Sequence, residues 1–381
     1  MTRLRGDEPS PDIGSQMSVA TPISEIGVRS SSPATRASTW FEVRAQDLSV
    51  WNQVLLRTGA SLYQYPFWNE PYRPLWLTPR YLAWGAEDRP LGFVCILTAG
   101  FGPAKVGLVF RGPTPLHPET QFSQLAVADL LDWARSQGYI FIRFTHSDSQ
   151  VLNQLAAAGH AENFDAFPYF LDYPILSPDY IIEQCATDAE TLASFDREAR
   201  RKIRRGTEAG YEFQSDSSPD ALARSWSLYQ ECAHRKRFRL ERPLSVYTEA
   251  MRLAQPHNCV RLYSVRMNGR TVGSTLVFRD GTTAHCQLAA FDAAHRQSAA
   301  FLHWHSMRDM YRMGAHRYNL GSGPGSLARF KQQFCMPSAR YPEPLTVVLK
   351  EDWFRLWWKV FFPVAKRTRP TLRRIVSRIK R

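Results

Sequence analysis

The chain has 381 residues, 44% hydrophobic and 22% charged, enough apolar material for a sizeable core, which excludes a fibrous or wholly disordered protein. A formal charge of +13 invites a nucleic-acid reading, but ten Lys and Arg without one Asp or Glu fall in residues 353–381, leaving only +3 for the rest. Six cysteines lie far apart with no metal-ligand spacing, no signal peptide opens the chain and no run of about 18 apolar residues occurs, so reduced thiols and a cytosolic location are expected.

Residues 1–38 are rich in Ser, Pro, Thr and Arg and lack an apolar period, so they read as a disordered leader. From Trp40 the pattern becomes globular. Arg89-Pro-Leu-Gly-Phe-Val-Cys-Ile-Leu and Lys105-Val-Gly-Leu-Val-Phe-Arg-Gly-Pro are strand-like runs broken by Gly and Pro. After Pro118-Glu-Thr a helix places Phe122, Leu125, Leu130 and Trp133 on one face, Gly138 stops it, and Tyr139-Ile-Phe-Ile-Arg-Phe follows as a strand. The order then returns. Residues 260–267 alternate, turn at Asn268-Gly269 and resume over 271–278 before a second turn at Asp280-Gly281. A third strand covers 284–291, a helix from about Ser298 presents Phe301, Trp304, Met307 and Tyr311, Gly314 ends it, and His316-Arg-Tyr-Asn-Leu is the next strand. The repetition predicts a mixed α/β protein of two similar halves, 39–178 and 179–349, joined near residues 176–190. A basic amphipathic tail, 350–381, completes the chain.

Three segments resemble the Fem (FemA/FemB/FemX) family of aminoacyltransferases within the GNAT acyltransferase superfamily. They are Leu62-Tyr-Gln-Tyr-Pro-Phe-Trp-Asn with the later Arg111-Gly-Pro-Thr-Pro, the basic helix from Ser194 to Gly210, and Tyr318-Asn-Leu-Gly-Ser-Gly-Pro-Gly-Ser-Leu-Ala-Arg-Phe-Lys-Gln-Gln-Phe. With the element order they span roughly residues 50–345. The resemblance implies two tandem GNAT-like domains, the second catalytic, and transfer of an aminoacyl or other acyl group to an amine, often on a peptidoglycan precursor. It also implies an aminoacyl-tRNA donor, a nucleotide- or lipid-linked acceptor and tRNA as a partner, with no tightly bound cofactor and no metal.

The candidate residues follow. In the basic helix, Arg197, Arg201, Arg204 and Arg205 cluster on one face at 100° per residue; guanidinium forks suit phosphate, although a solvated helix face is the plain alternative. The resemblance assigns phosphate binding to Arg201 and Arg204, and Arg235 could join them. It places Phe330 and Lys331 at the acyl donor and the reacting centre, where a fixed cation would stabilise a developing oxyanion. Their ordinary reading is a core stripe of Phe330 and Phe334 beside an exposed lysine. Gly321 and Gly323 belong either to a backbone turn around a ligand or to a simple strand-to-helix turn. His303 and His305, at i and i+2, point apart and cannot share a metal from this helix, and Ser274 and Cys286 form no nucleophile–base pattern in the sequence. The stretch His295-Arg-Gln-Ser-Ala-Ala-Phe stands where CoA-using relatives carry a glycine loop, which puts acyl-CoA behind aminoacyl-tRNA as donor. Trp353-Phe-Arg-Leu-Trp-Trp-Lys-Val-Phe-Phe, with the basic run after it, suits the anionic inner face of a membrane; packing of Trp357, Trp358 and Phe361 on the second half is the competing reading. Two further functions stay open: a CoA- or carrier-dependent N-acyltransferase acting on an exopolysaccharide sugar, and a non-catalytic membrane- or nucleic-acid-binding module.

Overall fold

The computed structural model describes residues 39–75, 77–101, 104–117, 119–162, 178–238, 240, 242–323, 325–338 and 341–361. The leader, 1–38, and the tail beyond Phe361 lie outside the described residues.

In the first half, β1 (Thr39–Glu42), α1 (Leu48–Thr58) and the single turn α2 (Pro66–Asn69) precede an antiparallel meander of β2 (Thr78–Ala86), β3 (Arg89–Phe101) and β4 (Ala104–Phe110). The short β5 (Thr114–Pro115) pairs with β3, α3 (Gln124–Ser136) crosses to β6 (Tyr139–Thr145) parallel to β4, and α4 (Ser149–Ala158) leads to β7 (His160–Glu162). The second half runs β8 (Ile181–Glu183), α5 (Asp188–Ser194), α6 (Arg197–Glu208), β9 (Glu212–Ser215), α7 (Pro219–Lys236) and α8 (Leu244–Ala254). It continues through β10 (Val260–Met267), β11 (Arg270–Arg279), β12 (Thr283–Phe291), α9 (Ser298–Arg312), β13 (Arg317–Asn319) and α10 (Gly325–Lys331). β14 (Leu345–Val348), α11 (Glu351–Leu356) and a π turn (Trp357–Phe361) close the described chain. Two mixed sheets result, ordered β1-β2-β3-β4-β6-β14-β7, with β5 on β3, and β8-β13-β12-β11-β10-β9.

Local chemistry accounts for most of these elements. Asn268 and Gly269 turn with φ of 50° and 75°, the doubly left-handed pair that suits a twisted hairpin. Ser123, Asp196 and Ser218 accept backbone N–H bonds at the starts of α3, α6 and α7, and Gly138 and Gly314 stop the crossover helices with positive φ. Phe301, Trp304, Met307 and Tyr311 of α9 are all buried.

Three expectations change. Leu125 is 68% exposed, because α3 begins only at Gln124, after Phe122; the buried face is Ala126, Val127, Leu130, Leu131 and Ala134. β14, within the span 179–349, pairs with β6 and β7 of the first sheet, so the second half loses its last strand to the first. Trp357 and Phe354 pack against Phe141 of β6, in a cluster drawn mostly from the first half to which α8 adds Val246; their apolar area covers a face of the first sheet beside β14.

The halves share a core. Phe67 and Trp68 meet Phe278 of β11 at ring-centroid distances of 6.3 and 5.2 Å, and Trp51, Leu276 and Leu288 belong to the same cluster. Gly281 marks how close the contact is: a Cβ there would lie 2.5 Å from the Leu56 carbonyl oxygen.

Candidate functional site

β12 and β13 are parallel neighbours over Thr283–His285 and Arg317–Asn319, after which β13 ends and β12 runs on to Phe291 beside β11. The strands therefore diverge at Cys286, where the β11–β12 register also steps from Leu276–Leu288 to Val277–Cys286. Diverging strands leave backbone groups and side chains facing a gap in place of a ladder partner. α9 and α10 close this gap with His303, Phe330 and Lys331.

The side chains there are close-packed. The Cys286 thiol lies 3.0 Å from the Tyr318 hydroxyl and 3.8 Å from His303 Nδ1, and His303 Nδ1 is 3.3 Å from that hydroxyl. The Phe330 ring sits 6.0 Å from the His303 ring and 5.3 Å from Phe334. Lys331 is only 5% exposed, and its Nζ donates 2.7 Å to the Ser322 carbonyl. Gly321 (φ 73°) starts the turn from β13 into α10 beneath that ammonium, and a Cβ at Gly323 would strike the Leu327 side chain at 2.5 Å.

Charge states follow from burial. Burial lowers the Lys331 ammonium from 10.5 to about 8, against opposing pulls from Cys286, Asp179 and Cys335. Burial, helped by Lys331, lowers His303 to about 3, and burial raises the Cys286 thiol to about 11. At neutral pH the cluster holds a thiol, a neutral imidazole and one ammonium, so a thiolate–imidazolium nucleophile is not the resting state.

A second polar group lies where the halves meet. Asp179 Oδ2 accepts from Arg111 Nη2 at 2.9 Å, Asn319 Nδ2 at 2.8 Å and the Tyr341 hydroxyl at 2.8 Å. Arg111 itself stacks over Tyr63 (5.1 Å) and Tyr341 (4.5 Å), and Tyr341 lies on His146 (4.1 Å). Burial would raise the Asp179 carboxyl, but the Arg111 charge and the three hydrogen bonds outweigh it and hold the group below its usual range.

Of the residues singled out in the sequence, the structure gathers Phe330, Lys331, Gly321 and Gly323 at the gap. Arg235 reaches its edge, donating 2.8 Å to the carbonyl of Phe291, whose ring faces His303. Arg201 and Arg204 instead pair with Glu198 and Glu208 of their own helix, with 44% and 71% of their side chains exposed. Lys202 is the α6 cation that reaches α10's end, bonding Gln333 at 3.1 Å. Cys286 and His303 were weighed in the sequence and set aside, Tyr318 and Asn319 stood in the quoted motif without a role, and Asp179 escaped the sequence reading. A recess of about 260 Å³ beside α4, lined by Ser149, Leu152, Asn153, Ala156, Glu343 and Leu345, contains none of the gap residues.

Residues 193–332 match the model of an acetyltransferase (GNAT) domain. Over a longer span, the chain is similar to a crystal structure of FemX, with 16% identity, a TM-score of 0.69, and coverage of 83% of this chain and 99% of that one. The C-terminal domain (DUF2156) of a putative lysylphosphatidylglycerol synthetase from Agrobacterium fabrum aligns with 17% identity, a TM-score of 0.52, and coverage of 82% and 97%. A tandem GNAT protein from the clavulanic acid biosynthesis pathway aligns with 12% identity, a TM-score of 0.50, and coverage of 82% and 99%. No curated protein matches the sequence. The fold is thus two tandem GNAT-like units, as the resemblance implied.

Proposed function

We propose that this protein is an acyltransferase that moves an aminoacyl or other acyl group onto an amine of a cell-envelope precursor. The observation that carries the reading is the buried ammonium of Lys331, held at the gap between the diverging β12 and β13. The deprotonated acceptor amine attacks the activated carbonyl, its electron pair forming the new C–N bond while the carbonyl oxygen gains charge. Lys331 supplies the fixed cation for that oxygen, and a low-dielectric surround strengthens the interaction. The leaving group departs with the bond electrons, and water or substrate phosphate takes the amine proton. Phe330 offers an aromatic face to the donor end, and Arg235 and Lys202 border the gap as phosphate ligands, with Arg201 and Arg204 available once released from their glutamates.

The resemblance to the Fem family and the fold shared with FemX support an aminoacyl donor and an envelope acceptor. The α9 start also bears on the donor. Ser298 and Ala300 are buried, and the Ser298 hydroxyl donates 2.7 Å to the His295 carbonyl, so side chains fill the place where a glycine loop would approach pyrophosphate. No cofactor is held tightly in this reading. The match of residues 193–332 to an acetyltransferase domain favours one alternative, a CoA-dependent N-acyltransferase, which micromolar binding of acetyl-CoA in calorimetry would support and silence would count against. Among the described residues no helix is long and apolar enough to cross a membrane. Trp353, Leu356, Trp358 and Val360 are exposed, and with the basic run after them they support peripheral binding to an anionic leaflet.

The test is transfer of radiolabelled amino acid from aminoacyl-tRNA to nucleotide-linked muropeptide by wild type and Lys331→Ala. Wild type should turn over and the variant should fall by about 10²–10³-fold with its fold intact. Equal rates would remove Lys331 from the mechanism, and wild-type silence across a donor and acceptor panel would overturn the reading.

A further inference from the structure

Lys331 is connected to the first half of the chain by two sets of hydrogen bonds joined through the Gly321–Ser322 backbone. Arg111 and Tyr341 fix the Asp179 carboxylate, which accepts from Asn319 Nδ2 at 2.8 Å. Asn319 Oδ1 in turn accepts from the Gly321 amide at 2.6 Å, and one residue along the same turn the Ser322 carbonyl accepts from the Lys331 ammonium at 2.7 Å. Each partner has one strong geometric choice: Asn319 is 4% exposed at the end of β13, Asp179 is 8% exposed, and Gly321 turns with a φ of 73°. Asp179 also sits where the described chain enters the second half, one residue before the Tyr180–Pro337 bridge, and its own carbonyl accepts from Ser338 N at 2.8 Å. One carboxylate therefore ties together the loop after β4, the entry to the second half, the end of β13 and the return segment toward β14.

We propose that Asp179 is a positioning residue for Lys331, setting where the ammonium points through Asn319 and the Gly321–Ser322 turn and sustaining its charge across the junction of the two halves. The inference rests on the reading of Lys331 as the cation at the reacting carbonyl, but its test needs no substrate. Two effects act on the ammonium in opposite directions. Asp179 favours the charged form electrostatically, while the closed turn that Asn319 holds keeps water away and disfavours it. The other groups facing Lys331 are Cys286 of β12, His303 of α9 and Cys335 just beyond α10, and none is altered by the substitutions below.

The experiment is competitive acetylation of Lys331 with trace acetic anhydride in the full-length protein across neutral to alkaline pH, read by mass spectrometry of the Lys331 peptide. Asp179→Asn removes the charge and keeps the shape, so the labelling midpoint should move to lower pH. Asn319→Ala keeps the carboxylate and frees the turn, so the midpoint should move to higher pH and the labelling rate should rise. A purely structural role would loosen the site in both variants and raise both midpoints. That result, or an unchanged midpoint in either variant, overturns the proposal. Should Asp179→Asn fail to fold, Asp179→Ser decides by sign: a lowered midpoint supports the relay, and a raised or unchanged one overturns it. Opposite shifts in a protein that transfers no acyl group would leave the relay standing and remove only the functional reading.

Discussion

Replacing Lys331 with methionine tests whether a charged ammonium is really held in this interior. The side chain keeps its length and loses its charge. Lys331 titrates near 8 in the folded protein against 10.5 ordinarily, a gap equivalent to roughly 3 kcal/mol at about 1.4 kcal/mol per pH unit. The sign follows from proton counting. Below pH 8 both folded and unfolded chains carry the proton, so the full cost of burying the charge is present. Between pH 8 and 10.5 the unfolded chain binds more protons than the folded one, so wild-type stability rises with pH, and above that window the cost is gone. Methionine also removes the donor to the Ser322 carbonyl, a loss of about 1 kcal/mol. At neutral pH the variant should therefore be the more stable protein by about 2 kcal/mol, and the advantage should reverse toward the alkaline end of the window. Urea unfolding followed by tryptophan fluorescence at several pH values measures the difference directly. A wild-type-to-variant difference that stays constant with pH would refute the buried charge.

Gly206→Ala should destabilise by about 1–3 kcal/mol despite the better helix propensity of alanine, because the new Cβ meets Phe301 at 2.8 Å; a stabilised variant would contradict the α6–α9 packing. Alanine at Arg201 and Arg204 should change stability by less than about 0.5 kcal/mol each, since both ion pairs are exposed. If these two arginines hold acceptor phosphate, the same double variant should raise the acceptor KM, and an unaltered KM would leave them a solvated face. A chain ending at Phe361 loses eight of the ten tail cations and keeps Phe354 and Trp357. It should lose salt-sensitive co-sedimentation with anionic liposomes; equal sedimentation of both forms would dismiss the tail as a membrane element.

Elements written in neighbouring residues were legible from the sequence. The Asn268-Gly269 hairpin, the α9 face and the glycine stops at 138 and 314 each depend on chemistry within one or two turns of chain. The phase of α3 was misjudged by counting Phe122 before the Ser123 cap, which set the apolar stripe one step early. The site was legible only in part. Phe330 and Lys331 stood out through resemblance, whereas Asp179 meets Arg111, Asn319 and Tyr341 across 68, 140 and 162 residues, separations at which no periodicity exists. Cys286 and His303 likewise become neighbours only because β12 leaves β13 beneath α9. Lys331, read from its exposed-looking flank, is buried because α10 turns it back over its own entry loop.

The return of β14 to the first sheet bears on the order in which the protein can form. Arg143 of β6 bonds to Thr346 of β14 across 203 residues. A nascent chain that has emerged only as far as the second half thus exposes the open flank of β6, with β7 lacking the strand that joins it to the sheet. During synthesis the second half can collapse around α9 before the first is finished, the reverse of ordinary vectorial folding. Shortening the chain before Leu345 would leave that unpaired edge permanent, so such truncations should aggregate where one beyond Phe361 does not.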